Sequence, residues 1–126
     1  MDKNNMQTEF KKFKYAIIGL GLIGGSIAKA LNYRFGKLDI SVIDNNPDSI
    51  NTALKEGSIT RGFTYINEYI LDSDLIFLCT PVKHTIEYIE KLNKKTKPGT
   101  IITDVGSTKE EIIHFVNNLP DPPCFI

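Results

Sequence analysis

Three glycines near the start of the chain have the spacing of a dinucleotide-binding turn, Gly-x-Gly-x-x-Gly. They follow an apolar run at Tyr15–Ile18 that predicts a buried strand, and they precede apolar residues spaced by four that predict a helix. In that context the first glycine allows a tight turn, the second lets the backbone approach a pyrophosphate, and the third lets helix and strand pack closely. The helix N-terminus then presents free N–H groups to the phosphates. The residues expected to bind a dinucleotide here are Gly19, Leu20, Gly21, Leu22, Ile23 and Gly24.

An acidic residue follows at the distance such a site requires, about 20 residues farther along. Asp44 comes directly after Leu38–Ile43, whose alternation of apolar and polar residues predicts a second strand. A carboxylate at this position accepts hydrogen bonds from the ribose 2′-hydroxyl and repels a 2′-phosphate. Asn45 stands where an arginine would favour NADP. We therefore predict NAD as the cofactor, with Asp44 and Asn45 in the site; the alternatives are that Asp44 only caps the next turn and that the glycines form a turn without a ligand.

The rest of the chain alternates strands with helices, which predicts an α/β fold: a doubly wound parallel sheet of the Rossmann dinucleotide-binding type. The run Leu75–Cys79 is apolar on both faces, as expected of a parallel strand covered by helices. Residues 1–13 are predicted to be a loose polar tail, and residues 14–126 the nucleotide-binding domain. The segment Cys124–Ile126 is expected to begin one more strand.

Two further strand ends carry polar residues that would face the same cleft, because ligands of open α/β sheets lie outside the carboxyl ends of the strands. One is Cys79-Thr80-Pro81-Val82, and the other is Asp104-Val105-Gly106-Ser107-Thr108-Lys109. Ser107 and Glu110 also form a capping-box pattern, so Ser107 has a purely structural alternative as a helix cap.

Together with the glycine segment at 17–26, these blocks resemble the N-terminal domain of the prephenate and arogenate dehydrogenases of tyrosine biosynthesis. The resemblance runs from about Tyr15 to Ile126. It implies an NAD-dependent oxidative decarboxylation of prephenate to 4-hydroxyphenylpyruvate, in which a histidine takes up the hydroxyl proton. It also implies that Thr80, Pro81 and Val82 lie along the cofactor near the nicotinamide. By the same resemblance, Ser107 hydrogen-bonds the reacting hydroxyl and helps to orient the catalytic histidine.

The sequence departs from this family at one essential point, since the family's catalytic histidine lies in a Gly-x-His-Pro block that these residues do not contain. His84 and His114 fall within predicted helices and match no family position, so we interpret both as ordinary helix residues. We expect the chain to be truncated before the helical C-terminal domain, which in this family builds the substrate pocket and the dimer interface. The chain alone is then expected to bind cofactor without catalysing, and the full-length enzyme to be a homodimer.

Composition narrows the classes of partner. Fifteen basic residues balance fifteen acidic ones, which gives no electrostatic reason to expect nucleic acid or an anionic membrane. The N-terminus lacks the apolar stretch of a secretory signal, and no apolar run is long enough to span a bilayer. Cys79 and Cys124 form no CxxC pair, so we predict reduced core thiols in a cytoplasmic protein without a metal site.

Two rival interpretations remain open at this point. The first is the nucleotide domain of another NAD(P)-dependent dehydrogenase, acting on arogenate, a hydroxyacid or an imine; the block from Asp104 to Lys109 argues against the last two. The second is a non-catalytic NAD-binding module.

Overall fold

The sheet of this protein is parallel and six-stranded, in the order β3-β2-β1-β4-β5-β6. A computed structural model describes residues 3–105 and 110–126, so that Ser107, the first residue of the capping-box pattern, lies outside the described residues. The chain enters at the centre of the sheet, moves outward to β3 and returns beside β1 to build the other half. This is the doubly wound Rossmann order, and the predicted fold class is confirmed. The strands are β1 Lys14–Ile18, β2 Asp39–Ile43, β3 Arg61–Phe63, β4 Leu75–Leu78, β5 Ile101–Asp104 and β6 Cys124–Phe125.

Helices cover both faces of the sheet and divide the apolar residues into two cores. One core holds the strand residues that face α4, α5 and α6, and the other holds those that face α2 and α3. Neighbouring residues of β1 therefore belong to opposite cores, Ile17 to one and Ile18 to the other, and both are fully buried. The helices are α1 Lys3–Lys12, α2 Leu22–Phe35, α3 Pro47–Glu56, α4 Glu68–Leu71, α5 Val82–Leu92 and α6 Glu110–Asn117. None of the helices in the described part of the chain has the length and apolar character that crossing a membrane requires.

The second strand is more buried than its alternating sequence suggests. Its last four residues are all buried, and Ser41 is only 2% exposed. The reason is that β2 lies between β1 and β3 with helices above and below, so its polar side chain also faces protein. Arg61 Nη1 donates to Ser41 Oγ at 2.8 Å and to Asp39 Oδ1 at 2.6 Å. These bonds fasten the short edge strand β3 to β2.

The N-terminal segment differs from the predicted loose tail, because Lys3–Lys12 forms helix α1. The helix docks through Phe10, whose ring lies 4.9 Å from that of Phe35 on α2 and 5.6 Å from that of Phe13. The Tyr15 hydroxyl donates to the Phe10 carbonyl at 3.0 Å. The composition of this segment is polar, and a single aromatic residue with a docking surface on α2 accounts for its attachment.

The two cysteines differ in their surroundings. Cys79 is half-buried and packs against the core on the α2–α3 side, as expected of a core thiol. Cys124 is exposed, so the prediction that it is a core residue is wrong. It lies in β6, a two-residue strand that is the last in the order of the sheet and pairs, within the described residues, with β5.

We expect Phe10→Ala to lower the free energy of unfolding by about 1–2 kcal/mol, because it removes the aromatic contact that docks α1. Amide hydrogen exchange should accelerate in α1 and remain slow in β1 and β4. Lys12→Ala, at an exposed position of the same helix, is the control. Equal exchange in wild type and Phe10→Ala would mean that the segment behaves as the loose tail.

Candidate dinucleotide-binding site

At two positions of the turn between β1 and α2, backbone atoms pack too closely for any residue with a side chain. Gly19 has φ +94°, a conformation that favours glycine, and a Cβ there would lie 2.6 Å from the Cys79 carbonyl oxygen. A Cβ on Gly24 would lie 2.0 Å from the Gly19 carbonyl oxygen. The first turn of α2 therefore rests directly on the end of β1, which is the close helix–strand approach that the motif predicts.

Packing does not require a glycine at position 21, since a Cβ there would meet no described protein atom within 4 Å apart from its own chain neighbours. Gly21 is exposed and is the N-cap of α2, and a glycine has no side chain with which to cap the helix. The helix therefore begins without a side-chain acceptor at the positive end of its dipole. Such a helix start favours an anionic group such as a pyrophosphate, and a side chain at 21 would extend into the open space beside it.

Asp44 holds the glycine turn in place through its carboxylate. Oδ2 accepts from the Leu20 amide at 2.7 Å, and Oδ1 accepts from the Asn46 amide at 2.8 Å. The Gly19 amide donates to the Ile43 carbonyl at 2.8 Å, so two bonds join the end of β2 to the turn. Asp44 thus orders the adjacent turn, as its structural alternative predicts. Each of its oxygens retains a second lone pair, with which it could still accept from a ribose hydroxyl.

Thr80 and Pro81 form the opposite side of the same cleft. The Thr80 and Thr85 hydroxyls share a 2.8 Å hydrogen bond, and Thr85 Oγ1 donates to the Thr80 carbonyl at 3.0 Å. Thr85 is 1% exposed and was missed by the sequence analysis. A threonine four residues into a helix gives no signal of its own, because its role depends on the loop that folds back over it. Pro81 is the N-cap of α5 and offers no side-chain acceptor, so α5, like α2, begins without a side-chain cap.

The structure brings some of the predicted site residues together and separates others. The cleft between the turn and α5 has a volume of about 250 Å³. Leu20 is instead buried in the core, Val82 packs against the core below α5, and Leu22 is 90% exposed on α2. Ile23 is likewise exposed on α2. The residues that line the cleft are Gly19, Gly21, Ile43, Asp44, Asn45, Cys79, Thr80, Pro81, His84 and Tyr88.

His84 and Tyr88 were not among the residues predicted to line the site. His84 lies in a helix, as expected, but in the first turn of α5, immediately after the carboxyl end of β4. Tyr88 follows four residues later, so both side chains lie on one face of the helix. Their spacing, read together with the helix start at Val82, is the sequence signal that would have identified them.

The surroundings of the Cys79 thiol in the cleft make it unreactive. Burial, and secondarily the Asp104 carboxylate, raise the pKa of Cys79 to about 11. Since the thiolate is the nucleophilic form, Cys79 remains protonated near neutral pH and is not an activated nucleophile. Burial, followed by the charges of Asp44 and Glu87, raises the pKa of the Tyr88 hydroxyl, which therefore stays neutral and able to donate a hydrogen bond. Among the described residues, no group of histidine, cysteine and acidic side chains could hold a metal ion.

Comparisons with known proteins agree with this geometry. Residues 27–122 match the family model described as prephenate dehydrogenase, nucleotide-binding domain. A prephenate dehydrogenase of Lactococcus lactis subsp. cremoris is 36% identical over 107 residues, which are 84% of this chain and 30% of that protein.

Two solved structures are also similar to this chain. A crystal structure of prephenate dehydrogenase from A. aeolicus, in complex with hydroxyphenyl propionate and NAD+, has a TM-score of 0.76 at 32% identity and covers 84% of this chain and 37% of its own. A crystal structure of Synechocystis arogenate dehydrogenase has a TM-score of 0.73 at 28% identity, covering 81% and 36%. The chain therefore spans about a third of the length of these three relatives. The family description and the NAD+ of the A. aeolicus complex support NAD as the cofactor.

We expect substitutions of Gly24 and Gly21 to affect different properties, the first mainly stability and the second mainly NAD binding. Gly24→Ala should lower the free energy of unfolding by about 1–3 kcal/mol, because the new Cβ meets backbone that cannot move aside. Gly21→Val should lower the free energy of unfolding less than Gly24→Ala, because its side chain enters open space, and should abolish NAD binding by filling the space proposed for the pyrophosphate. Thermal unfolding and calorimetric titration measure the two effects. Wild-type NAD affinity in Gly21→Val would show that no phosphate approaches this backbone.

Proposed function

This chain belongs to the family of prephenate dehydrogenase nucleotide-binding domains, and we propose that it binds NAD in the cleft between the glycine turn and α5. The observation that carries the proposal is the open space at Gly21, where a turn held by Asp44 presents uncapped helix amides. When bound, NAD supplies the acceptor for a hydride. The chain's own contribution is to bind the dinucleotide and to hold it in one orientation.

The proposed contacts follow the two sides of the cleft. The amides at the start of α2 bind the pyrophosphate, and Asp44 accepts from the hydroxyls of the adenosine ribose with the lone pairs that its two backbone bonds leave free. Asn45, beside it in the cleft, brings no positive charge toward a 2′-phosphate. Thr80 and Pro81 lie on the side nearer the nicotinamide, with Thr80 held in its rotamer by buried Thr85. The exposed Leu22 and Ile23 stand at the turn's outer end, where they are available to the cofactor.

We propose that the complete enzyme is an oxidoreductase that oxidatively decarboxylates prephenate to 4-hydroxyphenylpyruvate. Hydride leaves the ring carbon that bears the hydroxyl, and the hydroxyl proton passes to a histidine. Carbon dioxide is then released as the ring becomes aromatic, and the resulting phenolate takes up a proton to give the phenol. Ser107 is proposed to hydrogen-bond the reacting hydroxyl. In the sequence Ser107 follows Asp104, the last residue of β5, by three positions, and ligands of this fold bind at the carboxyl ends of strands.

A second candidate substrate is arogenate, which differs from prephenate in carrying an amino group in place of the side-chain keto group. Arogenate stays a candidate substrate because this chain is similar to Synechocystis arogenate dehydrogenase. A non-catalytic NAD-binding module is the alternative from another functional class. We also propose that the full-length enzyme is a homodimer and that it is located in the cytoplasm.

We expect calorimetric titration to show NAD binding at least about tenfold more tightly than NADP, because the Asp44 carboxylate repels a 2′-phosphate. Asp44→Asn should narrow this ratio, since the amide keeps an acceptor but loses the charge. Asp121→Asn, in the turn before β6, is the matched control and should leave the ratio unchanged. Equal affinities of the wild-type chain for NAD and NADP would remove the role given to Asp44.

We expect residues 1–126 to form no NADH when mixed with prephenate and NAD, because neither His84 nor His114 matches the family's catalytic histidine. The measurement is the absorbance of NADH over time, with NAD binding verified in the same sample. Detectable turnover that His84→Ala abolishes would identify a base within these residues and contradict the expectation.

A further inference from the structure

We propose that the face of α5 formed by His84 and Tyr88 is the wall on which the adenine base of the cofactor stacks. The inference rests on the proposed function, since it assumes that the dinucleotide lies in the cleft between the glycine turn and α5. It goes beyond that function by assigning base recognition to two side chains of this particular chain.

The first argument is position. His84 and Tyr88 border the same cleft as Asp44 and Asn45, which lie at the carboxyl end of β2. Asp44 is the group proposed to hold the adenosine ribose, and the base is attached directly to that sugar. The Asp44 charge is close enough to Tyr88 to raise the pKa of its hydroxyl. Tyr88 therefore borders the adenosine half of the cleft, and His84 lies on the same face one helical turn closer to the start of α5.

The second argument is the chemistry of the two side chains. Both carry flat rings one helical turn apart, and flat π-systems are what proteins use to stack bases without reading their edges. Tyr88 is half-buried, because part of its ring packs against the core below α5, so one region of the ring is fixed. The Lys91 ammonium lies over the same ring, 5.7 Å from its centroid, and this long side chain would have to move aside where a base stacks. His84 is exposed, and its Nδ1 lies 3.5 Å from Glu87 Oε2 on the same helix.

A competing role for His84 is electrostatic. Among the described residues that line the cleft, His84 is the one whose side chain can carry a positive charge, so a protonated imidazole could pair with the pyrophosphate instead. Stacking and charge pairing make different demands. Stacking requires a flat ring of any charge and acts on the base, whereas charge pairing requires a protonated nitrogen and acts on phosphate alone.

The experiment is calorimetric titration of the chain with ADP and with inorganic pyrophosphate. We expect His84→Ala and Tyr88→Leu each to weaken ADP binding about tenfold and to leave pyrophosphate binding unchanged. His84→Phe, which keeps a flat ring without a charge, should restore ADP binding. The matched controls are His114→Ala on α6 and Tyr33→Ala, at a 93% exposed position of α2, and both should bind ADP as the wild type does.

Three outcomes are distinguishable. If His84→Ala weakens ADP and pyrophosphate equally and His84→Phe fails to rescue, the histidine acts on phosphate and the stacking proposal is overturned. If both variants bind ADP with wild-type affinity while wild type binds NAD, the inference falls and the proposed function stands. If wild type binds neither NAD nor ADP, the proposed function falls with it. Because His84 is exposed, its variants should fold even if Tyr88→Leu does not.

Discussion

The contact between the first turn of α2 and the end of β1 is the constraint on which the site depends. With Gly24 packed against the Gly19 carbonyl, α2 begins close to the carboxyl end of the central strand β1. A side chain at either position would push helix and strand apart and would shift the first turn of the helix relative to the cleft. The absence of a side chain thus determines both a packing distance and the direction of a dipole.

The same region shows how one group can serve stability and binding together. Asp44 accepts from the Leu20 amide of the turn and from the Asn46 amide, and it lines the cleft at the end of β2. A carboxylate already held by two amides needs little reorganisation to receive a further hydrogen-bond donor. The capping role of Asp44 is therefore compatible with the ligand role proposed for it.

The side of the cleft opposite the glycine turn is likewise held in position by hydrogen bonds from a neighbouring element. Thr80 meets the glycine turn, and buried Thr85 holds it from within α5. The helix that begins at this loop carries His84 and Tyr88 to the cleft as a consequence of its start position alone. α2 and α5 lack capping side chains at their N-caps, whereas α3, which begins just after the cleft residues Asp44 and Asn45, is capped by Asn46.

The sequence by itself determined the alternation of strands and helices and, with it, the parallel doubly wound sheet, because both follow from local periodicity. It also determined the glycine turn and the position of Asp44 after the second strand, because the spacing of these residues is a local property of the chain. Only the tertiary structure decided the rest. Which element lies opposite decides the docking of α1 through Phe10, the burial of Ser41 and the exposure of Cys124. It also decides the contact of Thr85 with Thr80 and the places of His84 and Tyr88 in the lining of the cleft. Spacing along the chain encodes the face of a helix or strand, but the partner that covers that face is set by contacts between residues far apart in the sequence.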